Sequence, residues 1–565
     1  MKRFLLLLAL ALPLIAGCSK NDDNTPSEQP SNPTEEQTFP QHEGFYRIYA
    51  VDNTGWAALR LYMWGSVNDL GGAWPGMSPA GTVTVKGQDY TYFELSVSEA
   101  LDNTENLIFN NGTGTQLPDV NNVTFGEKAD LFFTVTATGA AAFDGGSTWT
   151  VDTTPQPVTA KAELQLSLTA SDRMMWQIYQ VNPKLYGNNG AFAKIEARLD
   201  DIIALGNDVL YLMPIYETGK TKSVGSPYCI RDFKSFSTSY GSAEELHSLI
   251  DFAHDKGIKV IFDWVANHTA WDCSWTSDHK DWYQQDSGGN IVCPTADGTW
   301  SDVAQLNYEN KDLRAAMTDA MKYWITEYGI DGYRCDYAHG PTGSKTGAFD
   351  AFWKEAIAEL RTIKPDLIML AESDFTKMYD DGFGMIFSRA SKSRLVSGFG
   401  KDLTSFLNTV SQSLNNAPAT GSPLLFVTNH DDCKEASPVS EFRSREGALA
   451  AFLLMRSLPV ATMMYGSQEV GYPQTIDFFK TVNFQWNTLP EYTRAFKEAM
   501  AKLVKIDRNA KLNVWTAGPV ILLQYYGSPA GIIIINTSAA EVTVTGLAAT
   551  AGGSMVLKGY EYRIL

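Results

Sequence analysis

The segment Val260-Ile-Phe-Asp-Trp-Val-Ala-Asn-His268 decides how this sequence is interpreted, because an apolar run there ends directly in polar side chains. Gly332-Tyr-Arg-Cys-Asp336 repeats the same pattern further along the chain. Such short runs alternate with amphipathic helical stretches, which predicts a parallel sheet covered by helices. Polar residues at the ends of parallel strands lie at one edge of the sheet, so the pattern also predicts a functional site there.

Three more apolar runs extend this pattern outward: Val209–Pro214, Leu367–Ala371 and Leu424–Thr428. The spacing between successive strand ends fits one or two strand–helix units, as expected for a (β/α)8 barrel. We therefore predict a TIM-barrel domain over residues 166–489. The longer interval after Asp263 leaves room for a loop domain inserted at about residues 269–304.

Three carboxyl groups follow predicted strands: Asp336, Glu372 and Asp431. Converging carboxylates repel one another, so they persist together only where something compensates their charge or uses it. Arg334 is the expected compensator, since it lies two residues before Asp336 and hence on the same strand face. Glycoside hydrolysis needs such a group, with one ionised carboxylate and one protonated carboxyl. We expect the neighbouring negative charges to raise the pKa of Glu372 and favour its role as the acid.

Four segments, in order, resemble the signatures of the α-amylase family of glycoside hydrolases (family thirteen): Asp263-Trp-Val-Ala-Asn-His268, Gly332-Tyr-Arg-Cys-Asp336, Glu372 after Met369-Leu-Ala, and Phe426-Val-Thr-Asn-His-Asp431. Val303-Ala-Gln-Leu-Asn307 and Tyr465-Gly-Ser-Gln-Glu469 extend the resemblance over the whole barrel. It implies that Asp336 is the nucleophile, that Glu372 is the acid/base and that Asp431 is the third essential carboxylate. It also implies substrate-site roles for the following residues: Tyr228, Asp263, His268, Arg334, His339 and His430.

The chain departs from the family pattern at two places. His339 and Gly340 stand where many members carry a Lys-His pair, which leaves the cleavage preference less defined than the reaction class. Gln305 stands where the family usually has an Asp ligand for calcium. Calcium is thus the one cofactor that the resemblance raises, with Asn267 as the remaining candidate ligand, and a carboxylate-poor site binds it weakly.

The N-terminus is predicted to be an export and anchoring signal. Residues 1–18 combine a basic start with a short apolar run, and Leu14-Ile-Ala-Gly-Cys18 resembles a bacterial lipobox in which Cys18 is acylated. The acids that follow Cys18 are similar to export signals of surface lipoproteins, so we expect an outer-membrane protein that faces the cell exterior. Residues 19–41 are polar and predict a flexible tether.

Residues 42–150 show short alternating runs separated by Gly, Asn and Asp, which predicts a β-sandwich. Tyr62 and Trp64 fall on one strand face, and Trp74 lies nearby in Gly72-Ala-Trp-Pro-Gly76. The segment resembles starch-binding modules (carbohydrate-binding family twenty-six), which implies that these rings stack on glucose. The alternative is that the rings belong to the core of the sandwich.

The remaining segments are a linker at residues 151–165, and a closing helix with an antiparallel β domain at residues 490–565. Besides Cys18, five cysteines remain, an odd number. Cys273 and Cys293 are either a disulfide that closes a short loop or two free thiols.

The net charge of −19 disfavours nucleic acid as a partner, because polyanions repel one another. The expected function is endo-acting, retaining hydrolysis of α-1,4 bonds in starch, glycogen or maltooligosaccharides, with a surface glycan-uptake complex as a further partner. Two alternatives stay open: an exported hydrolase of maltooligosaccharides, pullulan or cyclodextrins, and a non-catalytic starch-binding lipoprotein. A glycosyl-enzyme is also open to transfer to another sugar instead of water.

Overall fold

The computed structural model describes residues 39, 45–64, 73–85, 87–96, 105–118, 120–123, 130–142, 158–168, 174–340, 346–546 and 554–565. The predicted signal peptide with Cys18 lies outside these residues, as does the predicted tether except for residue 39. Among the described residues, no helix combines the length and the apolar character needed to cross a membrane.

The N-terminal segment forms two sheets that share one apolar core. A five-stranded sheet has the order β3-β4-β1-β7-β8, and a three-stranded sheet has the order β2-β5-β6. Ile48 of the first sheet and Leu61 of the second are both fully buried in the shared core. The strands are β1 (Phe45–Asn53), β2 (Arg60–Trp64), β3 (Gly81–Val85), β4 (Gln88–Ser96), β5 (Glu105–Asn110), β6 (Val120–Val123), β7 (Asp130–Thr136) and β8 (Gly139–Ala142).

Part of the predicted linker forms strands instead. β9 (Val158–Lys161) and β10 (Glu163–Leu168) lie at the end of residues 151–165, where we expected an irregular connection. Their partners are far away in sequence, since Val158 pairs with Val542 and Glu163 pairs with Thr516. Backbone hydrogen bonds to these distant partners fix two short segments that carry little strand signal of their own.

The central domain is built on a closed parallel barrel of eight strands in the order β11-β12-β15-β18-β19-β20-β21-β22. The strands from residue 174 to the end of the barrel are β11 (Gln177–Val181), β12 (Val209–Leu212), β13 (Tyr216–Thr218), β14 (Ile230–Phe236), β15 (Lys259–Trp264), β16 (His268–Ala270), β17 (Val303–Gln305), β18 (Gly332–Cys335), β19 (Ile368–Ala371), β20 (Met385–Phe387), β21 (Ser422–Phe426) and β22 (Ala461–Tyr465). The TIM-barrel prediction is therefore confirmed.

Helices surround this barrel and bury their apolar faces against it. They are α1 (Ala191–Glu196), α2 (Leu199–Ala204), α3 (Ala243–Asp255), α4 (Trp275–Asp278), α5 (Lys311–Tyr328), α6 (Thr346–Ile363), α7 (Lys377–Asp380), α8 (Arg389–Gly398), α9 (Thr404–Asn416), α10 (Asp432–Glu435), α11 (Pro438–Glu441), α12 (Arg445–Arg456) and α13 (Pro490–Leu503). Local sequence sets several ends: Ser242 and Glu245 form a capping box that starts α3. Gly329, in the left-handed conformation with φ 69°, ends α5.

Close strand packing explains the glycine that opens β18. A Cβ atom at Gly332 would lie 1.9 Å from the carbonyl oxygen of Ile368 on the neighbouring strand β19. Only glycine permits this approach, which keeps β18 and β19 in register. This register also sets the positions of Asp336 and Glu372, because these residues directly follow the two strands.

The loop after β15 forms its own small structure between β16 and β17, which pair antiparallel. It contains α4 and a short 3-10 helix at Lys280–Trp282. Cys273 and Cys293 lie in this loop and are free thiols in the structure.

The C-terminal strands form two sheets, of which one packs on the barrel domain. Their orders are β10-β23-β24-β25-β28 and β27-β26-β9. Val514 and Ile533 of the first sheet belong to the same core as the barrel strands. The strands are β23 (Leu512–Ala517), β24 (Val520–Tyr525), β25 (Gly531–Asn536), β26 (Val542–Thr545), β27 (Ser554–Leu557) and β28 (Tyr562–Ile564).

Candidate active site

Four barrel strands deliver the predicted site residues to one end of the barrel. Asp263 lies on β15, Arg334 lies on β18 and Asp336 directly follows it, Glu372 follows β19, and Asp431 comes after β21. Because all these strands run parallel, their carboxyl ends open on the same face. The Arg334 guanidinium contacts Asp263, Asp336 and Glu372, whereas Asp431 contacts His430.

Arg334 is the centre of the cluster. Its Nη1 atom lies 2.6 Å from Asp263 Oδ1 and 3.1 Å from Asp336 Oδ1, and its Nη2 atom lies 2.9 Å from Glu372 Oε2. Its side chain is only 1% exposed, so these ion pairs are largely shielded from water. One planar cation thus holds three carboxylates that would otherwise repel one another.

Asp263 is held on its other side by two tyrosines. Its Oδ2 atom accepts hydrogen bonds from the hydroxyls of Tyr211 at 2.5 Å and Tyr228 at 2.9 Å. Asp263 is completely buried and therefore faces no substrate directly. Its position fits a structural acid that fixes Arg334 and Tyr228.

Tyr228 connects Asp263 to His430. The Tyr228 hydroxyl lies 2.8 Å from His430 Nε2, and Gln180 Nε2 lies 2.9 Å from His430 Nδ1. Since the Gln180 amide donates to Nδ1, His430 carries its proton on Nε2 and donates it to Tyr228. Burial lowers the pKa of His430, which favours this neutral form. The two rings stack with centroids 5.3 Å apart.

The three carboxyl groups differ in access to solvent. The Asp431 side chain is 50% exposed, whereas those of Asp336 and Glu372 are 14% and 11% exposed. Asp431 Oδ1 lies 3.3 Å from His430 Nε2. A ligand that enters from solvent therefore meets Asp431 first and reaches the other two carboxyl groups deeper in the site.

Glu372 has a partner that sequence analysis missed. Arg389 Nη2 donates to Glu372 Oε1 at 2.5 Å, and the backbone N–H of Tyr337 donates to Oε2 at 2.9 Å. Burial by itself raises the pKa of Glu372, but Arg334 and Arg389 outweigh it and lower the pKa to about 2. Our prediction of a raised pKa was wrong, because it counted the neighbouring carboxylates and not this second arginine.

Asp336 shows the opposite behaviour. Burial raises its pKa well above the usual value against the effect of Arg334, and the charges of Glu372, Asp263 and Asp431 raise it further. Asp336 and Glu372 both contact the Arg334 guanidinium and therefore titrate as a coupled pair.

Tyr337 lies next to Asp336 in an unusual backbone conformation. Its φ is 45°, in the left-handed region that non-glycine residues seldom adopt. This conformation directs its N–H to Glu372 and places its ring beside His339, with centroids 4.2 Å apart. Strain of this kind is characteristic of functional sites, where surrounding contacts hold it.

Aromatic rings continue from Tyr337 along the rim of the site. Trp300 contacts Tyr337 with ring centroids 5.2 Å apart, and Phe375 contacts His339 at 5.4 Å. Phe375 is 59% exposed, which is unusual for so large an apolar side chain. His339 thus lies between the rings of Tyr337 and Phe375.

His268 contacts the backbone of Tyr228 and the side chain of Asn267. Its Nε2 atom donates to the Tyr228 carbonyl at 3.2 Å, and Asn267 Nδ2 donates to its Nδ1 at 3.2 Å. Burial lowers the pKa of His268 to about 4, so it is neutral at pH 7. It contributes hydrogen bonds rather than charge.

The surroundings of Asn267 do not fit calcium. Gln305 Nε2 donates to the Asn267 carbonyl oxygen at 2.9 Å and to Asn267 Oδ1 at 3.3 Å, so both oxygens already accept an N–H. Calcium prefers six to eight oxygen ligands, usually with carboxylates among them. In the part of the chain that the structure describes, no group of three or more His, Cys, Asp or Glu side chains could hold a metal ion.

The predicted sugar-binding rings of the N-terminal segment lie together. Tyr62 and Trp64 are stacked with centroids 5.6 Å apart, and Trp74 meets Tyr62 edge-on at 5.4 Å. Trp74 is 48% exposed, and Tyr62 and Trp64 are half-buried rather than enclosed. Neither ring pair belongs to the buried core between the two sheets.

Comparisons with known proteins point to one family. Residues 152–518 match the family described as the α-amylase catalytic domain. "Alpha-amylase MalA" of Haloarcula japonica is 25% identical over 72% of this chain and 61% of its own length. A maltogenic α-amylase of Bacillus acidopullulyticus is 24% identical over 54% of each chain. The chain thus spans only about half to three fifths of these two relatives.

The fold is similar to that of solved structures. The crystal structure of an α-amylase from Lactobacillus plantarum superposes with a TM-score of 0.59 and 22% identity, over 69% of this chain and 98% of that one. A cyclic α-maltosyl-(1→6)-maltose hydrolase from Arthrobacter globiformis superposes with a TM-score of 0.59 and 20% identity, over 70% and 99%. At this identity, the likeness shows the fold alone.

Proposed function

Since residues 152–518 match the α-amylase catalytic domain, the chain belongs to the α-amylase family of glycoside hydrolases, and we propose that it hydrolyses internal α-1,4 bonds of starch and related glucans with retention. The observation that carries this proposal is the contact of Asp336 and Glu372 with one guanidinium, at 3.1 Å and 2.9 Å. Retaining glycosidases need their two carboxyl groups close together, and a shared cation favours that spacing.

In the proposed reaction, Asp336 attacks the anomeric carbon while Glu372 donates its proton to the leaving oxygen. The glycosyl-enzyme is then hydrolysed by a water molecule that gives its proton to Glu372. Asp431, with its half-exposed side chain, binds sugar hydroxyls at the entrance. Tyr228 offers its ring to the sugar, and its hydroxyl is fixed by Asp263 and His430.

Endo-action on long glucans is the preferred form of this proposal. The open position of Asp431 and the exposed ring of Phe375 support a cleft that continues beyond the cleavage point. A preference for short maltooligosaccharides is the second candidate. This candidate is supported by Trp300 and His339, whose rings would narrow the cleft on the side where Phe375 lies.

We further propose that the enzyme acts at the cell surface. Acylation of Cys18 would anchor it to the outer membrane, facing the exterior. The Tyr62, Trp64 and Trp74 platform would hold starch near the barrel, since flat aromatic faces stack on sugar rings. A surface glycan-uptake complex is the partner that this location favours.

The test is sugar release from soluble starch by the full-length protein in detergent. Asp336→Asn and Glu372→Gln should each lower kcat by at least about 1,000-fold, within the usual range for loss of a nucleophile or acid/base. Proton NMR should show the α-anomer first. Early mixed oligosaccharides support endo-action, and early release of a single small sugar supports the second candidate. A protein that binds starch and cleaves no α-glucan would refute the catalytic proposal in favour of glycan capture.

A further inference from the structure

Arg389 holds Glu372 from the side opposite Arg334. It is the first residue of α8 and follows β20 by two residues. Its Nη2 atom lies 2.5 Å from Glu372 Oε1, and its Nη1 atom lies 3.4 Å from Asp374 Oδ2. The backbone N–H of Arg389 also donates to Asp374 Oδ1 at 2.7 Å. One guanidinium thus reaches two carboxylates, of which only Glu372 belongs to the proposed catalytic pair.

This contact conflicts with the chemistry that Glu372 must perform. A general acid has to carry a proton before it can donate one. With Arg334 on one carboxylate oxygen and Arg389 on the other, Glu372 is held as the anion. Among the described residues, Asp336 pairs with Arg334 but not with Arg389. With both arginines in place, Glu372 therefore lacks the proton that the proposed reaction needs.

The two arginines differ in their freedom to move. Arg334 is enclosed and is fixed by Asp263 and Asp336 as well as by Glu372. Arg389 is 42% exposed, and Asp374, its second partner, is 43% exposed. Its guanidinium also lies over the Phe387 ring, 5.2 Å from the centroid. Arg389 is accordingly the contact that a bound glucan can displace.

We propose that Arg389 is a positioning residue that keeps Glu372 ionised in the free enzyme and turns to Asp374 when a glucan fills the site. Glu372 Oε1, released from Arg389, then takes up a proton from solvent water, and Glu372 can donate this proton to the leaving oxygen. This inference rests on the proposed roles of Asp336 and Glu372. It makes the reactive state conditional on substrate.

Other charged groups around Glu372 do not substitute for Arg389. Arg334, Asp336 and His339 lie on β18 and in the loop after it. Asp263 lies on β15, and His430 lies in the loop after β21. Burial lowers the pKa of both histidines, which are thus neutral at pH 7. Removal of Arg389 consequently leaves Arg334 as the one cation on Glu372 among the described residues.

The test is the pH dependence of kcat/KM on maltoheptaose for the full chain and for Arg389→Gln. Activity falls at alkaline pH when the pair loses its last proton, and kcat/KM reports this for the free enzyme. Without the Arg389 charge the pair holds that proton to higher pH, so the alkaline limb should move up by about one to three pH units. Arg389→Lys keeps a positive charge and should leave the limb near that of the wild type.

A second variant tests the alternative partner. Asp374→Asn removes the carboxylate to which Arg389 turns, so the alkaline limb of kcat, which reports the substrate complex, should move to lower pH. An Arg389→Gln limb that coincides with that of the wild type in an active, folded protein would overturn this inference alone. Absence of any α-glucan cleavage by the wild type would instead refute the proposed function. If Arg389→Gln does not fold, the Arg389→Lys and Asp374→Asn profiles decide.

Discussion

Arg334 Nη1 lies 2.6 Å from Asp263 Oδ1, and this ion pair is sealed inside the barrel, with the two side chains 1% and 0% exposed. A buried charge is costly to remove from water and is tolerated only when well paired. The pair therefore fixes the Arg334 guanidinium beside the proposed catalytic carboxyl groups. A mobile side chain would not stay aligned with them. In the proposed reaction, Asp263 therefore acts through Arg334 rather than through contact with the substrate.

Replacement of Arg334 by Met should destabilise the barrel and abolish activity. The variant leaves Asp263, Asp336 and Glu372 without their common cation, and breaking a buried ion pair typically costs about 3–5 kcal/mol. Urea unfolding followed by tryptophan fluorescence measures the change. Arg334→Lys keeps one charge and should lose less stability. Equal unfolding free energies for Arg334→Met and the wild type would contradict this role.

Tyr228→Phe should lower kcat/KM by about 10- to 100-fold while the fold persists. The change removes a hydroxyl that binds Asp263 at 2.9 Å and His430 at 2.8 Å, and a hydrogen bond to a charged group is worth about 1.5–3 kcal/mol. The aromatic ring remains, so most of the loss should appear in kcat. Tyr211→Phe is the matched control, because Tyr211 also binds Asp263 but not His430. A similar loss in both variants would show that Tyr228 acts only through Asp263.

The free energy of unfolding should decrease as the pH falls from 6.5 to 4, because the folded protein does not readily protonate His268. Burial lowers its folded pKa to about 4, whereas the unfolded chain binds the proton near pH 6.5. As the pH falls through this window, the unfolded state gains a proton that the folded state does not, so the free energy of unfolding decreases. The full effect is on the order of 3 kcal/mol.

Urea denaturation at several pH values measures this dependence. His268→Gln should unfold with a flatter pH profile than the wild type, even if its stability at pH 7 is lower. His279→Gln is the control, because it replaces a histidine on the surface in place of a buried one. A His268→Gln profile parallel to that of the wild type would assign the slope to other groups.

Strand ends in the sequence were sufficient to predict the barrel and most of the site. Asp263, Arg334 and Glu372 each end or follow an apolar run that became a strand, and the structure joins them through one guanidinium. Arg389 follows the same rule, two residues after β20. This strand is only three residues long, Met385–Phe387, and too short to give a periodic signal. Because this strand was not predicted, Arg389 was not predicted as a site residue, although it lowers the pKa of Glu372.

Long-range pairing accounts for the other difference. β9 and β10 have exposed or half-buried side chains and no strong alternation, so their sequence resembles a connection. They become strands because Val542 and Thr516, several hundred residues later, supply backbone partners. Such pairing depends on the complete fold and not on local propensity.

Trp64→Ala should weaken adsorption to insoluble starch and leave kcat/KM on maltoheptaose unchanged. Trp64 stacks with Tyr62 at 5.6 Å on a surface that also presents Trp74, and an aromatic face lost from a sugar-binding platform removes apolar contact area. We expect at least about a tenfold weaker Kd, corresponding to about 1.4 kcal/mol. Adsorption isotherms on granular starch measure the binding, and Tyr526→Ala, which removes another exposed ring, is the matched control. Equal losses in both variants, or a loss of activity on the soluble substrate, would place the starch-binding surface elsewhere.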